Sequence, residues 1–512
     1  MDRSDALIAE ILAAPAGPSV GAFFDFDGTL ISGYSAASFY LDRLLRLDLS
    51  SAEARDLLLA LIELASGAGD PHKPLRTAIA QWRGRPVLDL EEMSQRLFRD
   101  RIAASLYPEA RALVEAHNRM GHTVAIATSA TRFQAGPVAA DLGVEHLLCT
   151  EVGVRDGVLT GDVDGPILWG ESKAAAVRRF AASRDIALEK SFAYANGDED
   201  IPFLEAVGMP RPVNAQKALA AAARARGWSL HAFQERGSSL RPAPVLRTAA
   251  AVAALSATVG VSAGLGLLLR SRRRAANLAI SVGSDLVLAL TGVKLEVEGA
   301  EHLDAHRPAV FIFNHQSGID PFVLGALLRR DVTAVAKKQL AWDPRVAPMG
   351  YLADVAYVDR GNTAQAKEAL APAVERLKRG ISVAMAPEGT RSRTPRLGRF
   401  KKGAFHLALQ AGVPLVPIVV RNSGEVLWAG SNVVQPGTVQ VRVLPPVSTQ
   451  GWRVEDLDAH VAEVRQMFVD TLAGWSLPKP ESPRPARDGG RGSQAGGGEG
   501  DAAAQTGAAP LR

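Results

Sequence analysis

AVFIFNHQSGID, residues 309–320, is an apolar run that is followed directly by polar residues. Five apolar positions in succession predict a buried β-strand, and the polar residues after it predict the start of a helix. Similar apolar runs alternate with helical stretches along much of the chain, which is typical of α/β domains. Because open parallel sheets bind ligands at the carboxyl ends of their strands, His315 and Asp320 are candidate functional residues.

The composition of the chain is that of a globular protein. It has 512 residues, of which 47% are hydrophobic and 22% charged, and its net charge is +4. This length predicts two catalytic-sized domains. The small net charge, without a basic run interleaved with aromatic residues, argues against nucleic acid as a partner. A single cysteine, Cys149, excludes an intramolecular disulfide framework and a Cys-based zinc site, and the first residues lack the apolar core of a secretory signal. We therefore expect both catalytic domains to face the cytoplasm.

Four zones are predicted along the chain. Residues 19–230 indicate a first α/β domain, and its helical insert at about 33–105 indicates a cap over the sheet. Residues 245–293 indicate hydrophobic helices, and residues 294–474 a second α/β domain. Residues 476–512 are rich in Pro, Gly, Ala and Arg and predict a disordered tail.

The hydrophobic zone predicts membrane association. Residues 248–269 carry no charge, and a helix of that length spans roughly 33 Å, enough to cross a bilayer. Four arginines follow within residues 270–274, and a second, more amphipathic stretch runs from Ala275 to about Val293. A core helix is one alternative. A single crossing would separate the flanking domains, and a hairpin would carry the arginines across the membrane, against the positive-inside tendency. We therefore favour an interfacial two-helix insertion, with the arginines at anionic headgroups.

His315 and Asp320 have the chemistry that acylation of an alcohol requires. A base must take the hydroxyl proton, and a second group must hold that base in the right tautomer. No serine or cysteine nucleophile is obviously paired with His315, so direct attack of the acceptor hydroxyl on the acyl donor is the simpler mechanism. From these two residues alone, a hydrogen-bonded structural histidine remains the alternative.

Further blocks follow His315 in order: Tyr357-Val358-Asp359-Arg360, Ala386-Pro387-Glu388-Gly389-Thr390-Arg391-Ser392, Phe400-Lys401-Lys402-Gly403-Ala404-Phe405 and Val413-Pro414-Leu415-Val416-Pro417-Ile418. Together, residues 294–450 resemble the 1-acylglycerol-3-phosphate acyltransferase family. The resemblance implies acyl transfer from acyl-CoA or acyl carrier protein to lysophosphatidic acid, which gives phosphatidic acid.

The same resemblance implies roles for individual residues. His315 would be the general base and Asp320 its orienting partner. The acceptor would be held by Arg360, Glu388, Gly389, Thr390 and Arg391, with Pro417 shaping the site. Guanidinium groups suit a phosphate because they bind it bidentately. Asp354 stands where the family usually has glycine, and Tyr357 and Val358 where phenylalanine and isoleucine are commoner, which bears on headgroup preference. Lys337-Lys338 is a candidate donor-contacting segment.

The first domain opens with Phe24-Asp25-Phe26-Asp27-Gly28-Thr29-Leu30. Two aspartates one residue apart, after an apolar strand, can share a phosphate transfer. One carboxylate attacks phosphorus and the other protonates the leaving oxygen. Mg²⁺ would offset the repulsion between the nucleophile and the phosphate. Acidic turns are common, so this motif is weak by itself.

Residues 20–225 resemble the haloacid dehalogenase superfamily of phosphohydrolases, and the helical insert resembles the cap of its phosphoserine phosphatase-like branch. The resemblance implies that Asp25 is the nucleophile and Asp27 the acid/base, while Thr128 and Lys173 bind and balance the phosphoryl group. Asp25, Asp27, Asp198 and Asp200 would hold Mg²⁺, although Asp200 follows Asp198 more closely than the family pattern requires. Phosphoserine is the family-level substrate, and a lipid phosphate is its rival.

Three interpretations of the whole chain remain open. The first is a bifunctional enzyme of phospholipid synthesis with a Mg²⁺-dependent phosphatase. The second is a single-activity acyltransferase whose first domain is inactive and regulatory, or binds a phosphorylated metabolite. The third is a non-catalytic membrane scaffold, which the two nearly complete motif sets disfavour.

Overall fold

Two β-sheets, one in each half of the chain, organise the computed structural model. It describes residues 3–45, 55, 72–233, 242–342, 347–358, 370–428 and 431–475. The first sheet contains β1 (Gly21–Phe24), β2 (Thr123–Thr131), β3 (His146–Arg155), β4 (Val158–Asp164), β5 (Phe192–Ala195) and β6 (Met209–Pro212). The second contains β7 (Val293–Glu298), β8 (Val310–Phe313), β9 (Val332–Lys337), β10 (Ala356–Val358), β11 (Ser382–Met385), β12 (Leu415–Val420) and β13 (Gly437–Val443).

The order of the strands places the polar residues that follow them side by side. Among the described residues, the first sheet has the order β4-β3-β2-β1-β5-β6 and the second β10-β9-β11-β8-β12-β13-β7. β1 is parallel to both β2 and β5, and β8 is parallel to both β11 and β12. All residues of β1, β5 and β8 are buried, as expected for central strands covered on both faces. The carboxyl ends of these neighbouring strands therefore share one edge in each sheet.

Helices cover the faces of both sheets. Those of the first domain are α1 (Arg3–Ala13), α2 (Ser35–Leu45), α3 (Lys73–Ala80), α4 (Val87–Asp100), α5 (Pro108–Arg119), α6 (Arg132–Leu142), α7 (Glu171–Ala182), α8 (Ile201–Glu205) and α9 (Lys217–Arg226). The remaining helices are α10 (Pro242–Leu268), α11 (Arg272–Thr291), α12 (Asp320–Leu328), α13 (Ala347–Leu352), α14 (Ala371–Lys378), α15 (Gly403–Ala411), α16 (Ser423–Val426) and α17 (Leu457–Ala473).

The predicted fold class of two α/β domains is confirmed. The described part of the insert after β1 is helical, in α2, α3 and α4, whereas predictions for residues 46–54 and 56–71 lie outside the described residues. The predicted tail at 476–512 also lies outside them.

The hydrophobic zone forms two consecutive helices, α10 and α11, joined by a short connection. The described residues contain one helix that is long and apolar enough to cross a membrane, α10. Its Leu267 and Leu268 are exposed, while α11 packs on the second domain. This packing is close, since a Cβ added at Gly325 of α12 would lie only 2.1 Å from Oγ of Ser284 in α11. The α10–α11 pair therefore packs on the second domain, and much of the apolar surface of α10 remains exposed.

Candidate active sites

The first candidate site lies where β8 gives way to α12. His315 Nδ1 is 2.7 Å from Oδ2 of Asp320, the first residue of α12. The same oxygen accepts the main-chain N–H groups of Gln316 at 2.9 Å and Ser317 at 2.8 Å. The Asp320 side chain is 0% exposed and the His315 side chain 25% exposed. Because the carboxylate is an acceptor, Nδ1 carries the proton of this bond, and Nε2 keeps a lone pair for the site.

Asn314 secures the end of the strand before the histidine. Its Nδ2 donates to the carbonyl of Val420, and its Oδ1 accepts the N–H of Val420, both at 2.7 Å. The side chain thereby pairs with the end of β12 as a further strand residue would. The sequence interpretation gave Asn314 no role, although a buried amide beside a catalytic candidate is a signal that could have been used.

The Glu388 side chain holds the main chain of His315 in place. Its Oε1 accepts the main-chain N–H of His315 at 2.9 Å, and its Oε2 accepts that of Gly398 at 2.8 Å. Burial raises the pKa of the Glu388 carboxyl, and the two N–H donors act in the opposite direction. Each oxygen of Glu388 thus accepts one main-chain N–H, and its role in holding the acceptor stays a prediction.

Two cationic side chains lie near these residues, Arg391 beside the turn between His315 and Asp320 and Lys401 beside Gly389. A Cβ added at Gly318 would be 3.3 Å from Nη1 of Arg391, so the guanidinium adjoins the His315–Asp320 turn. Gly389 has φ +73°, and a Cβ there would be 3.2 Å from Nζ of Lys401. The sequence motif that contains Lys401 predicted no role for this lysine. Both cations are exposed, as a phosphate-binding site requires.

The other predicted residues of this domain are more scattered. Thr390 is exposed, and Arg360 lies outside the described residues. Pro417 is buried within β12. Asp354 has φ +56°, a conformation that favours glycine. Its carboxylate pairs with Arg376 at 2.7 Å, and this bond lowers the pKa of Asp354. Asp354, which stands where the family usually has glycine, therefore forms a structural ion pair from a left-handed backbone conformation.

The second candidate site lies at the end of β1. Lys173 Nζ donates to Oδ1 of Asp25 at 2.8 Å and to Oδ1 of Asp200 at 2.6 Å. All three side chains are buried. Burial raises the pKa of Asp25 to about 7, against the opposing effect of Lys173. Burial alone would lower the pKa of Lys173, but Asp200 and Asp25 reverse this and raise it, so the lysine stays charged.

Asp27 faces the start of α2. Its Oδ1 accepts the N–H of Ser35 at 2.7 Å, and its Oδ2 accepts the Ser35 hydroxyl at 3.1 Å. Burial raises the pKa of Asp27 to about 6, although Ser35 opposes the shift. Thr128 was predicted to end the second strand. β2 instead continues to Thr131 through a register shift after Ala127, with Thr128 Oγ1 accepting the N–H of Ala130 at 3.0 Å.

The residues after β5 point in different directions. Asp198 Oδ1 accepts the N–H of Leu219 at 2.7 Å in the first turn of α9. Asn196, which immediately follows β5, accepts the Thr29 hydroxyl at 3.1 Å, and that hydroxyl is 3.4 Å from Oδ2 of Asp25. The Thr29 hydroxyl therefore links Asn196 to Asp25, while one oxygen of Asp198 bonds to the first turn of α9. The sequence motif indicated no role for Asn196, although an amide directly after a buried strand is a candidate ligand.

The oxygen-bearing side chains near Asp25 can be compared with those that Mg²⁺ requires. Within the part of the chain that the structure describes, no group of three or more His, Cys, Asp or Glu side chains is placed to hold a metal ion. Asp25 still offers a carboxylate, and Asn196 an amide oxygen, on either side of Thr29. Mg²⁺ takes oxygen ligands, retains several waters and needs only one or two carboxylates. Asp25 and Asn196 fit Mg²⁺, and the participation of Asp27, Asp198 and Asp200 stays a prediction.

Comparison with known proteins agrees with this two-domain arrangement. The family model described as "haloacid dehalogenase-like hydrolase" matches residues 22–205, and the one described as "Acyltransferase" matches residues 294–421. Solved structures with similarity include the 1-acyl-sn-glycerophosphate acyltransferase from Thermotoga maritima, at 23% identity, 45% of this chain, 98% of that chain and TM-score 0.38. Another is a probable phosphoserine phosphatase from Vibrio cholerae, at 18% identity, 40% of this chain, 60% of that chain and TM-score 0.32.

The fold and the two sites define an enzyme that joins a hydrolase-like domain to an acyltransferase domain. The 1-acyl-sn-glycerol-3-phosphate acyltransferase of Limnanthes douglasii is 35% identical over 208 residues, which are 40% of this chain and 73% of that protein. The chain belongs to this acyltransferase family. The resemblances to both families and the prediction of an enzyme are thereby confirmed.

Proposed function

We propose that the second domain transfers an acyl group from acyl-CoA or acyl carrier protein to the free hydroxyl of lysophosphatidic acid and so forms phosphatidic acid. The observation that carries this proposal is the bond between His315 Nδ1 and the fully buried Asp320, which leaves Nε2 available as a base. The names of the similar acyltransferases support the choice of acceptor.

The geometry supports direct acyl transfer. His315 Nε2 removes the acceptor's hydroxyl proton while the hydroxyl oxygen attacks the thioester carbonyl carbon. A C–O bond forms, the C–S bond breaks, and the imidazolium returns the proton to the departing thiolate. Asp320 holds the ring and stabilises its positive charge during the transfer. Arg391 and Lys401 neutralise the acceptor's phosphate, and Arg360 is expected to act with them.

We propose that the enzyme works at a membrane surface. α10 presents exposed leucines, and the segment after β9 presents Trp342, which is 86% exposed. Tyr351 is also exposed, and the guanidinium carbon of Arg272 lies over its ring, 4.7 Å from the ring centre. Aromatic rings and arginines near an apolar face suit the headgroup region of an anionic bilayer. Both catalytic domains would then face the same, cytoplasmic side.

For the first domain we propose a Mg²⁺-dependent phosphomonoesterase. A carboxylate oxygen of Asp25 attacks phosphorus while the bond to the leaving oxygen breaks, and Asp27 supplies the proton to that oxygen. The raised pKa of Asp27, about 6, suits an acid that must hold this proton. Asp27 then takes a proton from water, which attacks the aspartyl phosphate and releases phosphate. Lys173 and Thr128 balance and bind the phosphoryl group, and Mg²⁺ bound at Asp25 and Asn196 would supply further positive charge.

The phosphatase substrate is proposed as phosphoserine or a lipid phosphate. A specific observation also favours the alternative of a regulatory first domain, because no group of three or more His, Cys, Asp or Glu side chains among the described residues is placed to hold a metal ion. Phosphate release from phosphoserine, lysophosphatidic acid and phosphatidic acid by the full chain separates these proposals. Release that Asp25→Asn abolishes supports the phosphatase, whereas no release from any of the three supports the regulatory domain.

The acyltransferase proposal has its own test. His315→Ala in the full chain is expected to lower acyl transfer from acyl-CoA to lysophosphatidic acid at least about a hundredfold, the usual contribution of a general base. The exposed His306 of the same domain provides the control, and His306→Ala should retain wild-type activity. Full activity of His315→Ala would contradict the assignment.

A further inference from the structure

The loop at residues 391–398, called here the acceptor loop, connects Arg391 to the rest of the acyltransferase domain without helix or strand. Its inner side is fixed to the catalytic turn. Ser392 N–H donates to the carbonyl of His315 at 2.7 Å, and Gly398 N–H donates to Glu388 at 2.8 Å. The placement of Arg391 relative to His315 therefore depends on how well this loop is held.

The outer side of the acceptor loop contacts the hydrolase-like domain. Arg393 Nη1 donates to the carbonyl of Asp100, the last residue of α4, at 2.6 Å. Arg396 donates to the carbonyl of Ala140 in the last turn of α6. Both arginines thus meet helix C-termini, where main-chain carbonyls and the helix dipole favour a cation. The two helices offer the loop complementary charge at two points.

A buried hydrogen bond lies between these two arginine contacts. Thr394 Oγ1 donates to Oδ1 of Asp141 at 2.7 Å, and Thr394 is only 8% exposed. The other oxygen of Asp141 pairs with Arg111 of α5, which holds the carboxylate in place. A separate contact, from Arg119 to the carbonyl of Trp475 at 2.7 Å, joins the same two domains. The loop therefore docks on a surface that is itself fixed.

We propose that the hydrolase-like domain holds the acceptor loop in its binding conformation, and that Thr394 and Asp141 are positioning residues for acyl transfer. Fixing the residues of an irregular loop costs backbone entropy. A loop that is already docked therefore loses less entropy when the acceptor binds. This inference rests on the proposed function, because it takes Arg391 to bind the acceptor's phosphate. It gives the first domain a role in acyl transfer that is independent of phosphate hydrolysis.

The test uses the full chain carrying Thr394→Val, Asp141→Ala or both. Each single variant should raise the KM for lysophosphatidic acid about threefold to tenfold, the effect of losing one hydrogen bond, with kcat within about twofold of wild type. The double variant should add little to Asp141→Ala, since that variant already removes the Thr394 bond. Thr449→Val is the matched control, because Thr449 is also 8% exposed and bonds only within its own domain, to Val413.

The outcomes are distinguishable. A wild-type KM in folded Thr394→Val and Asp141→Ala proteins overturns the positioning role, as does an equal rise in Thr449→Val. If Asp141→Ala fails to fold, Arg396→Ala replaces it, with the same expected rise in KM. Arg391→Ala separates this inference from the proposed function. An unchanged KM in Arg391→Ala would show that Arg391 does not bind the acceptor at all.

Discussion

The main-chain N–H of His315 donates to the Glu388 carboxylate at 2.9 Å, so the residue that carries the base is held by a side chain from another strand end. Replacing Glu388 by Gln leaves one acceptor oxygen for two N–H donors. We expect Glu388→Gln to lower kcat roughly tenfold to a hundredfold by displacing His315, and to lower the free energy of unfolding by about 1–3 kcal/mol.

Steady-state kinetics and chemical unfolding check this prediction. If Glu388 acts through the main chain of His315, the KM for the acceptor should change little. The exposed Glu463, replaced in the same way, provides the control. A variant that keeps kcat but loses acceptor affinity would instead support the predicted role of Glu388 in holding the acceptor.

Asp320→Asn tests the orientation of the histidine. The amide cannot accept from His315, Gln316 and Ser317 with the strength of a carboxylate, and its NH₂ group favours the wrong tautomer. We expect kcat to fall about a hundredfold to ten-thousandfold while the protein remains folded. Asp285→Asn, which breaks an exposed pair with Arg329, should keep wild-type rates. Equal rates in both variants would argue against a catalytic pair.

Asn196→Asp tests the position of the metal site. A carboxylate beside Asp25 should raise Mg²⁺ affinity at least about tenfold, since Mg²⁺ prefers charged oxygen ligands. The midpoint of a Mg²⁺ titration, followed by thermal unfolding, measures this change without reference to activity. Asp198→Asn should leave the midpoint unchanged, because Asp198 faces α9. The reverse pattern would place the metal at Asp198.

The raised pKa of Asp27 predicts a pH dependence of stability. The folded protein holds this proton up to pH about 6, against an ordinary value of 3.8, so it binds more protons than the unfolded chain between these values. The free energy of unfolding should therefore fall as the pH rises from about 4 to 6, by at most about 3 kcal/mol from this group. Unfolding of Asp27→Asn should lack this contribution, and parallel curves for both proteins would refute the assignment.

The exposed end of α10 predicts a membrane-binding surface. Leu267 and Leu268 are 82% and 77% exposed, and burying one leucine is worth about 1.5–3 kcal/mol. The double variant Leu267→Asp, Leu268→Asp should weaken binding to vesicles of anionic phospholipid at least about tenfold. Val454→Asp replaces an apolar residue that is 53% exposed and lies far along the chain, and this variant should bind normally. Equal vesicle binding by the two variants would exclude this surface.

Part of the candidate sites could be predicted from the sequence because short motifs bring their own residues together. His315 and Asp320 lie five positions apart across a strand end, and this spacing suffices for the bond between them. The partnership of Asp25 with Lys173 spans 148 positions, and only the family resemblance indicated it. Asn196, the first residue after β5, shows the limit of such reasoning. One or two residues after a strand, the backbone turns, and spacing alone does not fix which side chain faces the site.

The sequence by itself determined the two α/β domains, their strand-end motifs and the apolar helix between them, because hydrophobic periodicity and local motifs encode these features. Only the tertiary structure decided that Asn196 lies beside Asp25, that Glu388 binds the main chain of His315, and that Thr394 meets Asp141 across 253 positions. Side-chain direction and domain docking depend on packing between distant segments. That packing gives the protein its two separate sites and the contact that joins them.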